Sequence, residues 1–271
     1  EELLLVSRYR SELGRYYRFV VPDEQLTEDL DDKLRFQKLA EKLSLPVPKS
    51  EVLEANSKKT RLNFPLIAKP LTRKTNEWSP VAGLSKAIRI ETPEELDKFK
   101  RRFGESGIRI LAQELIEGEE SAIESYHVYV DDTGEIAGEF AGKKIRTYPK
   151  HFGQSCALTI TDSADVLALG RELVKKLNLQ GLAKFDFKRS PEGKLFLLEV
   201  NPRFSLWHHP GAMAGVNLPQ LVYCDLVGLP RPEFGKARAG TNWCRLWQDV
   251  FSARAEGISF FKWFSWAIKC E

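Results

Sequence analysis

The chain has 271 residues, 42% of them hydrophobic, so it can bury a substantial core in one or two domains. Its 41 Lys and Arg nearly balance 38 Asp and Glu, and this net charge of +3 gives little support for a nucleic-acid-binding protein. No apolar run reaches the roughly 18 residues that span a bilayer, and no signal peptide opens the sequence, so we expect no membrane partner.

The four cysteines, at 156, 224, 244 and 270, are far apart and form no CxxC pair. This spacing favours free thiols in a reducing cytosol over zinc or disulfides, and predicts a cytoplasmic protein. The chain starts in mid-pattern with EELLLVSRYR and without Met, so we expect that an upstream region is missing.

The first half of the chain predicts helices between short strands. Apolar residues at helical spacing over 29–45 predict one helix, which PVP at 46–48 ends. The sequence Thr-Pro-Glu-Glu at 92–95 is a capping box with Pro at the first helical position, and it predicts a second helix. Strands are predicted for FPLIAKP (64–70), KAIRI (86–90) and RILAQELI (109–116), with a polar loop over 71–85.

The second half predicts two hairpins and two helices. The first hairpin turns at 131–134, a helix follows over 163–177, and the second hairpin, GLAKFDFKR and KLFLLEVN, turns at 190–193. Strand pairs interleaved with single helices predict an α+β fold of two lobes. The tail ends in FFKWFSWAIK, a predicted amphipathic helix for which docking on the core is favoured over membrane contact.

The second hairpin brings polar side chains together. If Arg189 lies opposite Lys194, Asp186 faces Leu197 and Lys184 faces Glu199. Asp186 and Glu199 are then diagonal neighbours roughly 7 to 8 Å apart. One face is predicted to be core and collects the apolar residues Phe185, Phe187, Phe196, Leu198 and Val200; the other collects Lys184, Asp186, Lys188, Glu199 and Asn201.

Two interpretations of the polar face remain open from pattern alone. Two carboxylates with an amide two residues further on suit a hard cation such as Mg²⁺, which prefers oxygen ligands. The alternative is an ion pair between Lys184 and Glu199, with Asn201 only ending the strand.

The segment 181–203 resembles the metal-binding hairpin of the ATP-grasp superfamily, in which an acidic strand is followed by a strand that closes in Glu-x-Asn. The resemblance implies that Asp186, Glu199 and Asn201 bind Mg²⁺, with Mn²⁺ as an alternative. It also implies that Arg203, in Asn-Pro-Arg, acts catalytically near the transferred phosphate or the acyl substrate.

The resemblance extends over about 29–230 and implies a nucleotide site. Lys33 and Lys69 match lysines that reach ATP phosphates, Lys69 also counting as catalytic, and a lysine serves there as a compact point charge. QELIEGEE matches the hinge that holds adenine. In it Gln113 would face the exocyclic amine, the Glu114 carbonyl and Ile116 N–H would pair with the ring edge around Leu115, and Glu120 would bind the ribose hydroxyls.

The sequence departs from the family pattern in two places. The loop LTRKTNEWSPVAGLS replaces the usual Gly/Ser-rich phosphate loop, and Arg73, Lys74 or Lys86 could touch phosphate there or be solvated charges. The family's N-terminal Rossmann-like domain is also missing. The expected divisions are a remnant of that domain (1–26), an N-lobe (27–117), a C-lobe with the hairpin (118–230) and a Trp-rich extension packed on the C-lobe (231–271).

The resemblance implies an ATP-dependent, ADP-forming ligase that joins a small-molecule carboxylate to an amine through an acyl phosphate, with a homodimer as the expected assembly. The similarity is to carboxylate–amine ligases and suggests an amino-acid or peptide-like substrate. Alternatives are an ATP-grasp module that binds nucleotide without turnover and a carboxylate–thiol ligase. Residues considered for substrate contact are Glu124, Lys143, Arg146 and His208, each with a structural alternative.

Overall fold

The computed structural model describes residues 2–54, 57, 59–71, 78, 87–104, 109–150 and 152–270, with the backbone alone at 103 and 104. Its strands form two antiparallel sheets, one of four strands and one of six. Helices and antiparallel sheets together confirm the predicted α+β class. No helix among these residues is long and apolar enough to cross a membrane.

The N-terminal region is helical. Its helices are α1 (Glu2–Arg8), α2 (Arg10–Leu13), α3 (Glu24–Asp31) and α4 (Lys33–Lys42). The prediction of one helix over 29–45 was wrong, because Asp32 has extended backbone angles and its side chain accepts a hydrogen bond from Arg35 N–H. Asp32 therefore ends α3 and caps α4. The break begins α4 at Lys33, whose ammonium donates to the Pro70 carbonyl.

The four-stranded sheet has the order β1-β4-β2-β3. The strands are β1 (Ser50–Leu53), β2 (Leu66–Pro70), β3 (Ile88–Ile90) and β4 (Ile110–Glu114), with α5 (Pro93–Gly104) between β3 and β4. One half of the capping box is confirmed, since Glu95 N–H donates to Thr92 Oγ1 at 3.3 Å. The Glu95 carboxylate accepts from Glu91 N–H, one residue before the expected donor.

The six-stranded sheet has the order β10-β7-β6-β5-β8-β9, and its edge strand β10 (Asn242–Cys244) comes from the last part of the chain. Its first strands are β5 (Ile123–Val130), β6 (Ile136–Tyr148) and β7 (Gln154–Thr161), and a short 3-10 helix, Glu120–Ala122, precedes β5. Helix α6 (Ala164–Leu177) follows, and then β8 (Gly181–Arg189) and β9 (Leu195–Asn201). Both hairpin turns are where the sequence predicts them, but the sequence did not predict β7 between the first hairpin and α6.

The two faces of this sheet have different neighbours. One face carries Tyr126, Phe185 and Val200 in a core shared with α3, α4 and α6. Gly170 of α6 lies against the Tyr126 ring, where an added Cβ would be 2.3 Å from a ring carbon. The opposite face packs at one end on α7 (His208–Met213) and α8 (Leu218–Val227), and at the other end it opens into a cleft.

The last part of the chain joins this lobe. Strand β10 (Asn242–Cys244) pairs with β7, so the predicted 231–271 extension contributes a strand to the C-lobe sheet. Helices α9 (Leu246–Ala255) and α10 (Phe260–Ala267) follow, the second within the predicted amphipathic segment. Of the α10 residues, Trp263 and Ala267 are the buried ones, so one side of the helix is packed.

The predicted register of the second hairpin was wrong. Arg189 lies opposite Leu195, and a β-bulge between Asp186 and Phe187 then places Asp186 directly opposite Glu199. Because of the bulge, Leu195, Leu197 and Val200 are the core residues of β9, whereas Phe196 and Leu198 are only partly buried. The predicted all-apolar face containing Phe196 and Leu198 was therefore wrong, and the two carboxylates are closer neighbours than the diagonal arrangement implies.

Candidate active site in the cleft between the sheets

A cleft of about 730 Å³ lies between the two sheets. Its polar lining comes from α4, β2, β4, the 3-10 helix, β6, β8 and β9. It contains Lys33, Lys69, Gln113, Glu114, Glu120, Lys144, Asp186, Lys188, Glu199, Asn201 and Arg203, and the apolar lining includes Ile67, Leu115, Ile116 and Leu198. The cleft thus combines cationic side chains, carboxylates that include the Asp186–Glu199 pair, and an apolar region.

Asp186, Glu199 and Asn201 meet at the hairpin as the sequence predicts. Asp186 is opposite Glu199, and Asn201 Nδ2 donates to Glu199 Oε1 at 3.0 Å. An amide that donates through nitrogen keeps its oxygen for a cation, so the set presents two carboxylates and a carbonyl oxygen. That donor set fits Mg²⁺ or Mn²⁺. Among the described residues there is no group of three or more His, Cys, Asp or Glu side chains that could hold a metal.

Asp186 is buried but held in its ionised form. Lys184 Nζ lies 2.7 Å from Oδ2, and the Ser125 hydroxyl donates to Oδ1. Burial favours the neutral acid, but the charges of Lys184 and Lys144 and these hydrogen bonds outweigh it and lower the pKa of Asp186. Lys184 therefore pairs with Asp186 and not with Glu199, so the alternative of a Lys184–Glu199 ion pair was wrong.

Lys69 projects from β2 into the cleft, where it interacts with the Glu199 carboxylate. Its ammonium donates to Gln113 Oε1 at 3.0 Å, which connects the predicted phosphate lysine to the predicted adenine hinge. Burial lowers the pKa of Lys69, and the Glu199 carboxylate opposes that effect. A lysine of this kind gains most from a nearby anion, because the anion replaces the lost hydration.

The predicted hinge residues line the cleft together. Glu114 N–H donates to the Lys49 carbonyl and Leu115 N–H to the Pro65 carbonyl, which fixes the backbone at the end of β4. The Glu114 carboxylate points to Asn63 and accepts two hydrogen bonds from it at 2.9 Å, so only its backbone suits the assigned role. Glu120 accepts from Phe152 N–H at 3.3 Å.

Two lysines of the cleft were missed in the sequence. Lys144 lines the cleft, while its predicted neighbour Lys143 is exposed and does not. Lys188 donates to the carbonyls of Gly118 and Glu119 at 2.6 Å and ties β8 to the turn before the 3-10 helix. Lys188 could have been found from the sequence, because it lies on the predicted polar face of the second hairpin. Lys144 could not, because its place in the cleft depends on the pairing of β6 with β5.

Arg146 and Glu124 do not have the geometry of substrate contacts. Arg146 is buried and forms a two-point ion pair with Asp249 of α9, with nitrogen–oxygen distances of 2.6 and 2.7 Å. Glu124 is buried in an ion pair with Arg189 and accepts from the Ser163 hydroxyl at 3.1 Å. Neither is in the cleft lining. Both anchor helices to the six-stranded sheet, which corrects the substrate roles considered for them.

His208, at the start of α7, is not among the residues that line the cleft. It is buried, and its Nδ1 accepts from Ser205 N–H at 3.3 Å. Burial, with the nearby Lys184 charge, lowers the pKa of His208 to about 4, so it is neutral at neutral pH. Its ring packs edge-on against His127, which stacks between Phe140 and Trp207. A packing role therefore fits His208 better than a direct substrate contact.

Arg203 lies on the exposed rim of the cleft, directly after the hairpin. Its guanidinium donates to the Phe204 carbonyl at 3.2 Å. The loop residues Arg73, Lys74 and Lys86 lie outside the described residues.

The two sheets, with a lysine-rich cleft between them and an Asp-Glu-Asn hairpin at its edge, define an ATP-grasp fold. Solved structures with this architecture include a purK N5-carboxyaminoimidazole ribonucleotide synthetase in complex with ADP. It is 16% identical, with a TM-score of 0.63, over 81% of this chain and 56% of that chain. An L-amino acid ligase from Bacillus licheniformis is also similar. It is 16% identical, with a TM-score of 0.62, over 83% of this chain and 53% of that chain.

The chain belongs to the ATP-grasp family. Residues 109–246 match the model described as ATP-grasp in the biosynthetic pathway with Ter operon. A D-aspartate ligase from Enterococcus faecium is 26% identical over 91% of this chain and 62% of its own length. A D-alanine–D-alanine ligase from Pseudomonas putida is 24% identical over 72% of this chain and 63% of its own length. The chain thus spans a little under two thirds of these relatives.

Proposed function

We propose that the chain is the nucleotide- and metal-binding part of a Mg-ATP-dependent carboxylate–amine ligase that acts through an acyl phosphate. The observation that carries the proposal is Asp186 directly opposite Glu199 in a cleft that also contains Lys69 and the hinge. The similarity to D-aspartate ligase and D-alanine–D-alanine ligase supports an amino-acid or peptide-like substrate.

The side chains suit phosphoryl transfer, which needs alignment and charge neutralisation more than covalent work by the protein. Asp186, Glu199 and Asn201 would hold Mg²⁺, which supplies charge neutralisation at the phosphates when it is bound. Lys33, Lys69 and Lys144 would offset phosphate charge from the opposite walls of the cleft.

The remaining residues have positioning roles in this proposal. The backbone at 114–116 and the Gln113 side chain would bind adenine, and Glu120 would bind the ribose hydroxyls. Arg203, at the rim, would contact the transferred phosphate or the acyl substrate. Ser125 and Lys184 would keep Asp186 ionised and fixed in orientation before a cation arrives.

The test is release of ADP in the presence of amino acids and short peptides, with hydroxylamine to trap an acyl phosphate as hydroxamate. Asp186→Asn and Glu199→Gln should each abolish both signals. Because Glu199 is exposed, Glu199→Gln should keep the unfolding curve of the unmodified chain, whereas Asp186→Asn leaves the largely buried Lys184 ammonium without its carboxylate and is assayed below its lowered unfolding temperature. Glu192→Gln, in the exposed turn of the same hairpin, is the matched control and should leave both signals unchanged.

Three outcomes separate the alternatives. Nucleotide binding without hydroxamate from any carboxylate would favour a module without turnover. Product formation that depends on a thiol acceptor rather than an amine would favour a carboxylate–thiol ligase. Near-native activity in either carboxylate variant would refute the metal assignment.

A further inference from the structure

Helix α10 is attached to the protein along one narrow side. Trp263 and Ala267 are buried, and Trp263 Nε1 donates to Asp249 at 2.7 Å. Asp249 is itself paired with Arg146, so this contact fixes the orientation of α10 on the lobe. The other sides of the helix are therefore presented in a defined direction.

A second side of α10 is apolar and exposed. At 3.6 residues per turn its members fall within an arc of about 100°, next to the buried side. Phe261 is 84% exposed and Ile268 is 64% exposed. We call this set the aromatic face; it consists of Phe260, Phe261, Phe264 and Ile268. Helix α9 adds two further exposed aromatic residues, Trp247 and Phe251.

A third side of the same helical segment is cationic. Lys262 is exposed and lies about 100° around the helix from Phe261, and Lys269, also exposed, follows the helix end at Ala267. Arg254 of α9 is also exposed. Among the described residues 245–270, Asp249 is buried in its ion pair and Glu256 is the exposed carboxylate. The exposed part of this segment therefore carries a net positive charge.

We propose that the aromatic face of α10 binds an anionic lipid surface. Phenylalanine side chains at the depth of the headgroups, with lysines beside them, are the arrangement of helices that lie in the plane of a membrane interface. The lysine stems can follow the apolar surface while their ammonium groups reach the headgroup charges. A second copy of the chain would instead bring two cationic edges together, which charge repulsion disfavours. This proposal reverses the sequence-based expectation of no membrane partner, and it does not depend on the ligase activity.

The experiment is co-sedimentation of the chain, without nucleotide, with vesicles of equal parts phosphatidylcholine and phosphatidylglycerol and with vesicles of phosphatidylcholine alone. Binding should be strong only to the anionic vesicles and should weaken as salt is raised. Phe261→Ser should weaken it about tenfold, and the double variant Lys262→Glu, Lys269→Glu at least as much. Tyr223→Ser is the matched control, because it removes an exposed aromatic residue from α8 and should change nothing.

Light scattering on the same samples, without vesicles, tests whether a second copy of the chain binds the aromatic face instead. Failure of the unmodified chain to bind anionic vesicles would overturn the proposal. So would a dimer that Phe261→Ser converts to a monomer, or an equal loss of binding in the Tyr223 control. Because Phe261 is exposed, its substitution leaves the packed side of α10 unchanged, and unfolding curves should confirm this.

Discussion

Removing the Arg146 guanidinium should destabilise the fold strongly while leaving the chemistry of the cleft in place. Asp249 is fully buried and accepts two hydrogen bonds from Arg146 and one from Trp263 Nε1. Arg146→Met leaves that carboxylate buried without its countercharge, and the free energy of unfolding should fall by about 3–5 kcal/mol. Replacing both partners, with Asp249→Leu added, should cost less than the sum of the two single variants.

Urea unfolding of the two single variants and the double variant measures these terms. Lys143→Met is the matched control, because Lys143 is exposed on the same strand, and it should lie within about 0.5 kcal/mol of the unmodified chain. ADP release by folded Arg146→Met, assayed well below its unfolding temperature, should stay near the native rate. The structural assignment of Arg146 would be refuted by a variant of native stability that had lost activity.

Three further predictions concern the buried groups. Because the folded-state pKa of His208 is about 4 and the unfolded value is about 6.5, the unfolded chain gains a proton first as the pH falls. Stability should therefore decline below about pH 6.5, and His208→Gln should remove about 2 kcal/mol of that loss at about pH 5 in urea titrations; an unchanged slope would contradict this. Gly170→Ala should lower the free energy of unfolding by about 1–3 kcal/mol, because its Cβ would overlap the Tyr126 ring; a more stable variant would show that the ring can move. Burial raises the pKa of the Cys156 thiol to about 12, whereas a hydrogen bond with Cys270 lowers the pKa of Cys244. Iodoacetamide should therefore label Cys244 before Cys156, as mapped by mass spectrometry, because the thiolate is the reactive form. Early labelling of Cys156 would contradict its burial.

The sequence predicted the elements that local chemistry determines. Turn residues at 131–134 and 190–193 and the capping box at Thr92 lie where the structure has turns and a helix start. The co-location of Lys69, the hinge and the Asp-Glu-Asn set followed from the family resemblance. Each of these signals is contained in a few consecutive residues or in a motif order.

The errors came from features that depend on partners distant in the sequence. A periodicity count over 29–45 does not show that Asp32 caps a new helix. Likewise, a four-residue turn suggests a regular ladder, whereas the structure pairs Phe187 with Leu197 and has a bulge between Asp186 and Phe187. Arg146 looked like a substrate contact because its partner, Asp249, is 103 residues away.

The bulge in the second hairpin has a consequence for the composition of the cleft wall. In a regular strand, adjacent side chains alternate, so Leu198 and Glu199 could not face the same side. The extra residue lets both line the cleft, and Val200 then returns to the core. One irregular backbone step thus gives the cleft an apolar side chain and a carboxylate side by side. Deleting Leu198 would remove this adjacency without deleting a charged residue.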